Sequence, residues 1–378
     1  MNGAKDMQIV MVSNYLNHHQ LPLCQAFLRR GADFAFVATE ALAGYRSEMG
    51  YADLNHSCPF VINAYESPAE KARALEACRR CDILILGEWA IEYKRCVKPG
   101  CVVFVYSERI FKGSACSVKN LLRYLKYLPT FRYSVRSYLL CAGAYTARDF
   151  RLLGQYRDRA YKWGYFPQVK PQDAPALLDK KDMRAIVWAG RFLDWKHPDT
   201  VIRMAARLKA DGVPFSVTMI GDGDMRCALE AEISRKGLGS CVQLTGAMPP
   251  EAVRAQMERA GFYLFTSGRG EGWGAVLNEA LNSCCVVFAN GAAGSVPYLI
   301  RDGVNGYVYP DGDEDALYRR LRAAMDAPET QRPIALAANE TMQSGWNADT
   351  AAERLLALAA ALAAGKDTPF ISGVCSRA

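Results

Sequence analysis

Short apolar runs recur along the chain, each separated from the next by a stretch long enough for one amphipathic helix. In the first half they are Met7–Ser13, Phe34–Val37, Ile83–Leu86, Val102–Tyr106 and Tyr138–Ala142. Runs this short and this continuously apolar predict strands buried on both faces, with helices covering them. A helix begins at Leu21-Pro22, where proline suits a first turn, and ends before Gly31; another spans Thr146–Leu153. The alternation then restarts with strand Ala185–Ala189, helix Pro198–Ala210, strand Phe215–Ile220, helix Met225–Lys236, strand Val242–Leu244 and helix Pro249–Ala260. Strand Phe262–Thr266, helix Ala275–Ser283 and strand Val286–Ala289 continue it. Strand–helix alternation of this kind makes parallel sheets with right-handed crossovers and helices on both faces, an α/β doubly wound pattern present twice.

The break between the two halves is marked by Pro167, Pro171 and Pro175 among polar residues. The expected organisation is a first domain over 1–165, a linker over 166–182 and a second domain over 183–345. A C-terminal helix and tail over 346–378 is expected to pack back toward the first domain. Its Ala/Leu-rich stretch, 351–364, is strongly helix-forming. The chain of 378 residues suits two domains of ordinary size. Paired α/β domains turn the loops at the carboxyl ends of their strands toward a shared cleft.

Composition removes several classes. No apolar run is long enough to span a membrane, and the N-terminus lacks the charged and apolar segments of a secretion signal. Thirteen scattered cysteines, an odd number, argue for a reducing cytoplasm over a disulfide framework. Cys78-Arg-Arg-Cys81 has no second C-x-x-C to complete a zinc site, so these cysteines read as ordinary helix residues. The net charge is +7, yet residues 109–162 hold twelve basic side chains against two acidic ones. Such a patch implies an anionic partner.

The chemistry concentrates in Glu271-Gly-Trp-Gly-Ala-Val-Leu-Asn-Glu279. Glycines let backbone approach a ligand, and the start of a helix offers N–H groups to an anion. Carboxylates only accept hydrogen bonds and repel phosphate, so Glu271 and Glu279 suit hydroxyl groups. A nucleotide-sugar, with a diphosphate and two polyols, satisfies both demands. Gly190-Arg191 and Lys196 follow the first strand of the second half, where two cations would neutralise a diphosphate leaving group. Gly221-Asp-Gly223 ends the next strand and reads as a tight turn or a nucleotide-side loop.

Together with Asp302-Gly-Val-Asn-Gly306, these residues resemble the retaining glycosyltransferases of family 4, which have the GT-B fold of two Rossmann-like domains. Two glutamates with seven residues between them are that family's signature, and the resemblance runs from about residue 184 to 312. It implies that Arg191 and Lys196 bind the donor diphosphate and that Glu271 holds donor-sugar hydroxyls. Gly272, Trp273 and Gly274 would contact sugar and phosphates through backbone N–H groups, and Glu279 would bind ribose hydroxyls. Gly221 and Gly223 would lie on the donor side. Such enzymes need no metal and no cofactor; the nucleotide-sugar is a co-substrate, with UDP or GDP forms expected. Here Trp273 replaces the usual Phe, Cys284 and Val286 replace a Gly and a Pro, and Tyr298 stands near a common Glu.

The first half carries weaker signals. The loop Asn14–Gln20 holds two adjacent histidines, His18 and His19, which either meet the acceptor or the donor phosphates or are ordinary loop residues. Glu108, after Val102–Tyr106, is a candidate to accept a hydrogen bond from the sugar or the acceptor hydroxyl, and Glu88 is a second acceptor-side candidate. Lys119–Leu128 interleaves cations with leucines and tyrosines, as an interfacial helix or a helix packed on the sheet would. The resulting expectation is a glycosyltransferase that moves a sugar to a glycan or lipid-linked acceptor in surface polysaccharide synthesis. It would act in the cytoplasm, with residues 109–162 as the surface for an anionic membrane face and no nucleic-acid partner. The alternatives are another GT-B nucleotide-sugar enzyme, a sugar-phosphate synthase or epimerase, and a non-catalytic nucleotide-sugar-binding module.

Overall fold

The computed structural model describes residues 7–42, 44, 52–87, 91–112, 122, 125 and 137–378. The chain forms two compact units, Met1–Gln168 with Trp346–Ala378, and Val169–Gly345. The first contains β1 (Gln8–Ser13), α1 (Leu21–Arg29), β2 (Asp33–Ala38), α2 (Leu54–Ser57), β3 (Val61–Asn63), α3 (Pro68–Arg80) and β4 (Ile83–Leu86). It continues through α4 (Ile91–Arg95), β5 (Val102–Ser107), β6 (Ser137–Ala142), α5 (Thr146–Leu152) and β7 (Ala160–Trp163). The seven strands are parallel in the order β3-β2-β1-β4-β5-β6-β7. All of β4 and β6 is buried; β4 is apolar throughout, and the one serine of β6, Ser137, accepts a hydrogen bond from Lys94. Helix boundaries follow local chemistry. The Ser67 hydroxyl caps α3 by accepting from the Glu70 N–H, Pro68 opens the first turn, and Arg79 and Arg80 close the last.

The second unit contains α6 (Ala174–Leu178), β8 (Asp182–Ala189), α7 (Pro198–Ala210), β9 (Ser216–Ile220), α8 (Arg226–Arg235), β10 (Val242–Gly246) and α9 (Pro250–Arg259). It is completed by β11 (Ala260–Phe265), α10 (Val276–Asn282), β12 (Val286–Asn290), α11 (Val296–Leu299), β13 (Tyr307–Tyr309), α12 (Glu314–Asp326) and α13 (Arg332–Glu340). Its six parallel strands run β10-β9-β8-β11-β12-β13. The core beneath α7 and α12 is aliphatic and aromatic, with Phe192, Val201, Met219, Phe262 and Leu317 almost fully excluded from water. Lys181 is an exception with a purpose. Its buried ammonium donates to the carbonyls of Met257 and Ala260, satisfying groups at the end of α9 that no helical N–H can reach.

The final helix, α14 (Ala348–Ala363), belongs to the first unit. Asn347 caps it, Asp349 pairs with Arg29 and Arg30 near the end of α1, and Leu355 and Leu358 are fully buried. The tail beyond it then runs along β7. The Lys162 N–H donates to the Ser376 carbonyl, and the Cys375 and Ala378 N–H groups donate to the carbonyls of Lys162 and Ala160. β7 is the last strand of its sheet, and the tail covers part of the hydrogen-bonding edge it would otherwise expose.

Three strands were not anticipated from the pattern: β3, β7 and β13. Each has only three or four residues and lies at a sheet edge, where a continuous apolar signature is not needed. The proline-containing stretch 166–182 runs without regular structure from 166 to 173 and then forms a short helix. It carries α6, capped by Asp173, and the chain passes between the units at Gln168 and Val169.

In each sheet the strand order reverses once, between β1 and β4 in the first and between β8 and β11 in the second. Ligands of open α/β sheets bind outside the carboxyl ends of the strands at such a reversal. The loops after β1 and β4 and those after β8 and β11 are therefore the places to look for chemistry.

Candidate active site

In the second unit the loops after β8 and β11 meet. The β8 loop is anchored by Phe192, which is fully buried; its N–H donates to the Asp222 carbonyl, and its own carbonyl accepts from the Met225 N–H. A single 3-10 turn, Asp194–Lys196, follows. Thr266, at the end of β11, ties the loops together: its hydroxyl donates to the Lys196 carbonyl at 2.7 Å and accepts from the Trp188 indole at 2.8 Å. The Gly268 N–H adds a bond to the Trp195 carbonyl. This scaffold brings the Lys196 ammonium to 2.6 Å from Glu271, with both side chains only slightly exposed (13% and 11%). The ammonium also lies 4.7 Å from the centre of the Trp195 ring. Arg191 is exposed at the mouth of the same loop and makes no side-chain ion pair among the described residues. One cation of this loop is thus held in place by Glu271 and the other, Arg191, is exposed, both in the loop after β8 at the sheet's reversal point.

The Gly272–Gly274 loop is shaped by packing. The Trp273 ring is wholly buried, its indole N–H donates to Asn278 Oδ1 at 2.9 Å, and its carbonyl accepts from the Ser295 hydroxyl. Any ligand contact by Trp273 is therefore confined to its backbone. Gly274 has φ +84°, and a Cβ there would stand 2.5 Å from the Phe265 ring. Just after α10, Cys284 adopts φ +55°, a left-handed conformation that costs a non-glycine residue about 1–2 kcal/mol.

Glu279 lies on α10, in the turn after the loop. Burial pushes its carboxyl up to about 7, opposed by the charges of Arg254 and Lys170. Neither cation was singled out from the sequence. Arg254 is buried on α9 and donates to Asn282 Oδ1, and Lys170 is paired with Glu258. An isolated arginine inside an amphipathic helix carries no motif, so only the fold could reveal it. The raised pKa has a signed consequence. Between about pH 4.3 and 7 the folded chain holds a proton that the unfolded chain has released. Stability from this group is complete below that window and is lost as pH rises through 7. Glu279→Gln is expected to remove about 1–3 kcal/mol of pH-dependent slope across the window, read as the denaturant midpoint at pH 5 and pH 8. Equal slopes in variant and wild type would refute it.

The Gly221-Asp-Gly223 turn packs directly on the β8 loop. Gly221 has φ +141°, and a Cβ there would lie 1.9 Å from the Gly190 carbonyl oxygen. Backbone cannot yield by that much without moving Gly190 and, with it, Arg191. Gly221→Ala is expected to destabilise the protein by roughly 2–4 kcal/mol and to weaken ligand binding at the Arg191 loop. A denaturation midpoint within error of wild type would exclude this role. Asp302–Gly306 is also a structural turn: the Asn305 side chain accepts from the Arg301 N–H and donates to the Leu299 carbonyl.

In the first unit, Glu108 follows β5 and is held at both oxygens. Tyr165 donates its hydroxyl to Oε1 at 2.6 Å, and Lys112 bonds Oε2 at 2.8 Å. The Tyr165 phenol is pushed well above its ordinary range, by burial first and then by the nearby Glu108 charge, so it stays a donor. His19 stacks on Tyr165 with ring centres 6.0 Å apart, and His18 lies against His19 at 3.7 Å. The structure therefore joins His18, His19 and Glu108 through Tyr165, which no sequence motif marked. Glu88 lies outside the described residues, as do Lys119, Arg123 and Lys126. Leu122 and Leu125 are exposed (61% and 54%), as are Arg148, Arg151, Arg157 and Arg159. Arg109 is not part of a surface patch: it is buried near Asp149 and stacked over Tyr145. Among the described residues no helix is long and apolar enough to cross a membrane.

Both sheets and their connections have the GT-B architecture. The chain superposes on HepE of Anabaena bound to UDP and glucose with a TM-score of 0.67 at 15% identity, covering 92% of this chain and 98% of that one. WaaG, a glycosyltransferase involved in lipopolysaccharide biosynthesis, matches with a TM-score of 0.64 at 15% identity over 92% and 98%. Residues 169–341 match the family described as Glycosyl transferases group 1. In sequence, the chain is similar to the amylovoran biosynthesis glycosyltransferase AmsK of Erwinia amylovora, 29% identical over 45% of this chain and 43% of that protein. It is also similar to the putative colanic acid biosynthesis glycosyltransferase WcaL of Escherichia coli, 27% identical over 47% and 45%. The chain thus spans less than half the length of these curated relatives.

Proposed function

We propose that this protein is a glycosyltransferase that moves a sugar from a nucleotide-diphospho-sugar to a glycan or lipid-linked acceptor in surface polysaccharide synthesis. The observation that carries this reading is the Lys196–Glu271 pair in the loop that also carries Arg191, which makes no ion pair among the described residues, at the reversal point of the second sheet. Two cations there suit a diphosphate, and a carboxylate beside them suits sugar hydroxyls. The similarity of residues 169–341 to glycosyl transferases group 1, and the names of AmsK and WcaL, support the polysaccharide context.

In this reading Arg191 and Lys196 neutralise the charge that grows on the leaving diphosphate, where fixed charges in a partly dry site act most strongly. Glu271 orients the donor sugar, the backbone of Gly272–Gly274 approaches sugar and phosphate, and Glu279 accepts ribose hydroxyls. Glu108, steadied by Tyr165 and Lys112, serves the acceptor, with His18 and His19 beside it. Transfer proceeds with retention, by attack on the face the diphosphate leaves, and the leaving phosphate oxygen takes the acceptor's proton. No metal takes part, so activity is expected to survive a chelator.

The test is a thermal-shift titration with UDP, GDP, ADP and their common sugars, with Arg191→Ala as control. Stabilisation by one nucleotide that disappears in the variant supports the donor site and selects the base. No shift with any nucleotide, in the presence or absence of candidate acceptors, would overturn it.

A further inference from the structure

A cavity of about 350 Å³ opens in the second unit beyond the carboxyl ends of β11, β12 and β13, beside the first turns of α7 and α12. None of Arg191, Lys196, Glu271 and Glu279 lines it. Tyr309, the last residue of β13, does. It is only 3% exposed, yet its hydroxyl has no hydrogen-bond partner among the described residues. Buried polar groups are almost always paired, so an unpaired phenol at a cavity wall marks a place for a ligand's polar atom. Burial, and then the charges of Asp311 and Glu314, push this phenol far above its ordinary range, so it stays protonated.

Two further side chains offer free capacity. His197 stands just before α7 with a left-handed backbone, φ +50° and ψ +52°, which a non-glycine residue keeps only where its surroundings enforce it. Here its N–H donates to the Asp194 carbonyl and its carbonyl accepts from the Thr200 N–H, while neither ring nitrogen is hydrogen-bonded among the described residues. Asp311 Oδ1 accepts from the Asn290 side chain at 2.7 Å, which leaves Oδ2 without a partner. Gly268 brings the two together: a Cβ there would stand 2.9 Å from His197 Nε2 and 3.3 Å from Asp311 Oδ1. The cation of the cavity, by contrast, is already engaged. Arg203 donates to Glu314, Asp199 and Thr200, so its charge is not available to an anion. No three His, Cys, Asp or Glu ligand atoms of this cavity lie within 4.8 Å of one another, so they do not form the shell of a metal ion. What is left is a mixed set of donors and acceptors with one unpaired carboxylate, and hydroxyl groups, which donate and accept, match it.

We propose that this cavity is a second saccharide site, taking one uncharged sugar ring of a glycan apart from the donor. Asp311 Oδ2 accepts from a ring hydroxyl, the Tyr309 hydroxyl donates to the sugar, and His197 bonds it through a ring nitrogen. The volume is at the low end of small-molecule pockets, roughly 300–1,000 Å³, which suits a single ring better than an extended chain. Anionic sugars are rejected by the Asp311 carboxylate. The site adjoins the donor loop from behind: Thr266, whose hydroxyl holds the Lys196 carbonyl, lines the cavity, and His197 follows Lys196 directly.

The experiment is saturation-transfer difference NMR on the full chain with the methyl α-glycosides of D-glucose, D-galactose, D-mannose and N-acetyl-D-glucosamine at millimolar concentration. Methyl α-D-glucuronide serves as the anionic probe and ethylammonium as the simple cation. At least one neutral glycoside is expected to bind, equally in wild type and in Arg191→Ala and without loss when UDP is added, while the glucuronide and ethylammonium do not. Asp311→Asn and Tyr309→Phe are each expected to weaken that binding about tenfold. Tyr309→Phe keeps the buried ring, so a weaker signal at an unchanged denaturation midpoint belongs to the hydroxyl. The proposal is overturned if no neutral glycoside binds, if both variants bind as wild type does, or if UDP or Arg191→Ala removes the signal, which would put the sugar in the donor site. Binding of the glucuronide as strong as that of the neutral sugars, or of ethylammonium alone, would overturn it as well.

Discussion

Lys196→Ala is expected to lower kcat/KM for sugar transfer by on the order of 10²–10³-fold while the protein stays folded. The reason lies in the position of the ammonium. It is fixed by a 2.6 Å bond to Glu271 and by a backbone held to Thr266, so it need not be ordered when substrate arrives. A leaving diphosphate carries more charge in the transition state than in the bound donor, so loss of the cation falls on kcat as well as on KM. Lys196→Arg, which retains charge but changes its reach, is expected to recover part of the rate. Lys196→Ala also strips Glu271 of its cation, so a modest fall in the denaturation midpoint accompanies the loss. Steady-state kinetics on both variants decide the matter, and wild-type kcat/KM in Lys196→Ala would remove Lys196 from the chemistry.

Trp273→Ala is expected to cost about 3–5 kcal/mol of stability, more than any charge change at the site. The ring is wholly buried, and its removal leaves a cavity beneath the Glu271 loop. Trp273→Phe keeps most of the packing but leaves Asn278 Oδ1 without the indole N–H, at a cost of about 1–2 kcal/mol. The comparison separates volume from hydrogen bonding. Chemical denaturation of the two variants measures it, and a Phe variant as unstable as the Ala variant would show that the hydrogen bond outweighs the packing. Because the Trp273 carbonyl is also held by Ser295, movement of the ring is expected to disturb the loop and reduce donor binding in step with stability.

The candidate site was legible in the sequence where its residues are local to one segment. Glu271, Gly272, Gly274 and Glu279 stand in one loop and the helix after it, and Arg191 and Lys196 follow a single strand, so their spacing alone marks them. Trp273 was legible as part of the loop but not as a core anchor, because whether a tryptophan in a glycine loop faces ligand or core depends on what packs beneath it. Tyr165 and Arg254 were invisible for a related reason: each acts on a residue from another element. Tyr165 reaches Glu108 across a separation of 57 residues.

The sequence by itself determined the alternation of strands and helices, because a strand buried on both faces must be apolar along its length and a covering helix must be so on one side. It also determined which loops carry the charged residues, since those lie directly after the strands. Only the tertiary structure decided the partnerships. The strand order that sets the β8 loop beside the β11 loop joins Lys196 to Glu271 across 75 residues of chain. The pairing of β4 with β5 likewise sets the Cys81 sulfur 3.6 Å from that of Cys101, a contact that the C-x-x-C spacing by itself did not mark. Such contacts depend on which strands become neighbours, and that is settled by packing of the whole sheet, not by the pattern within any one segment.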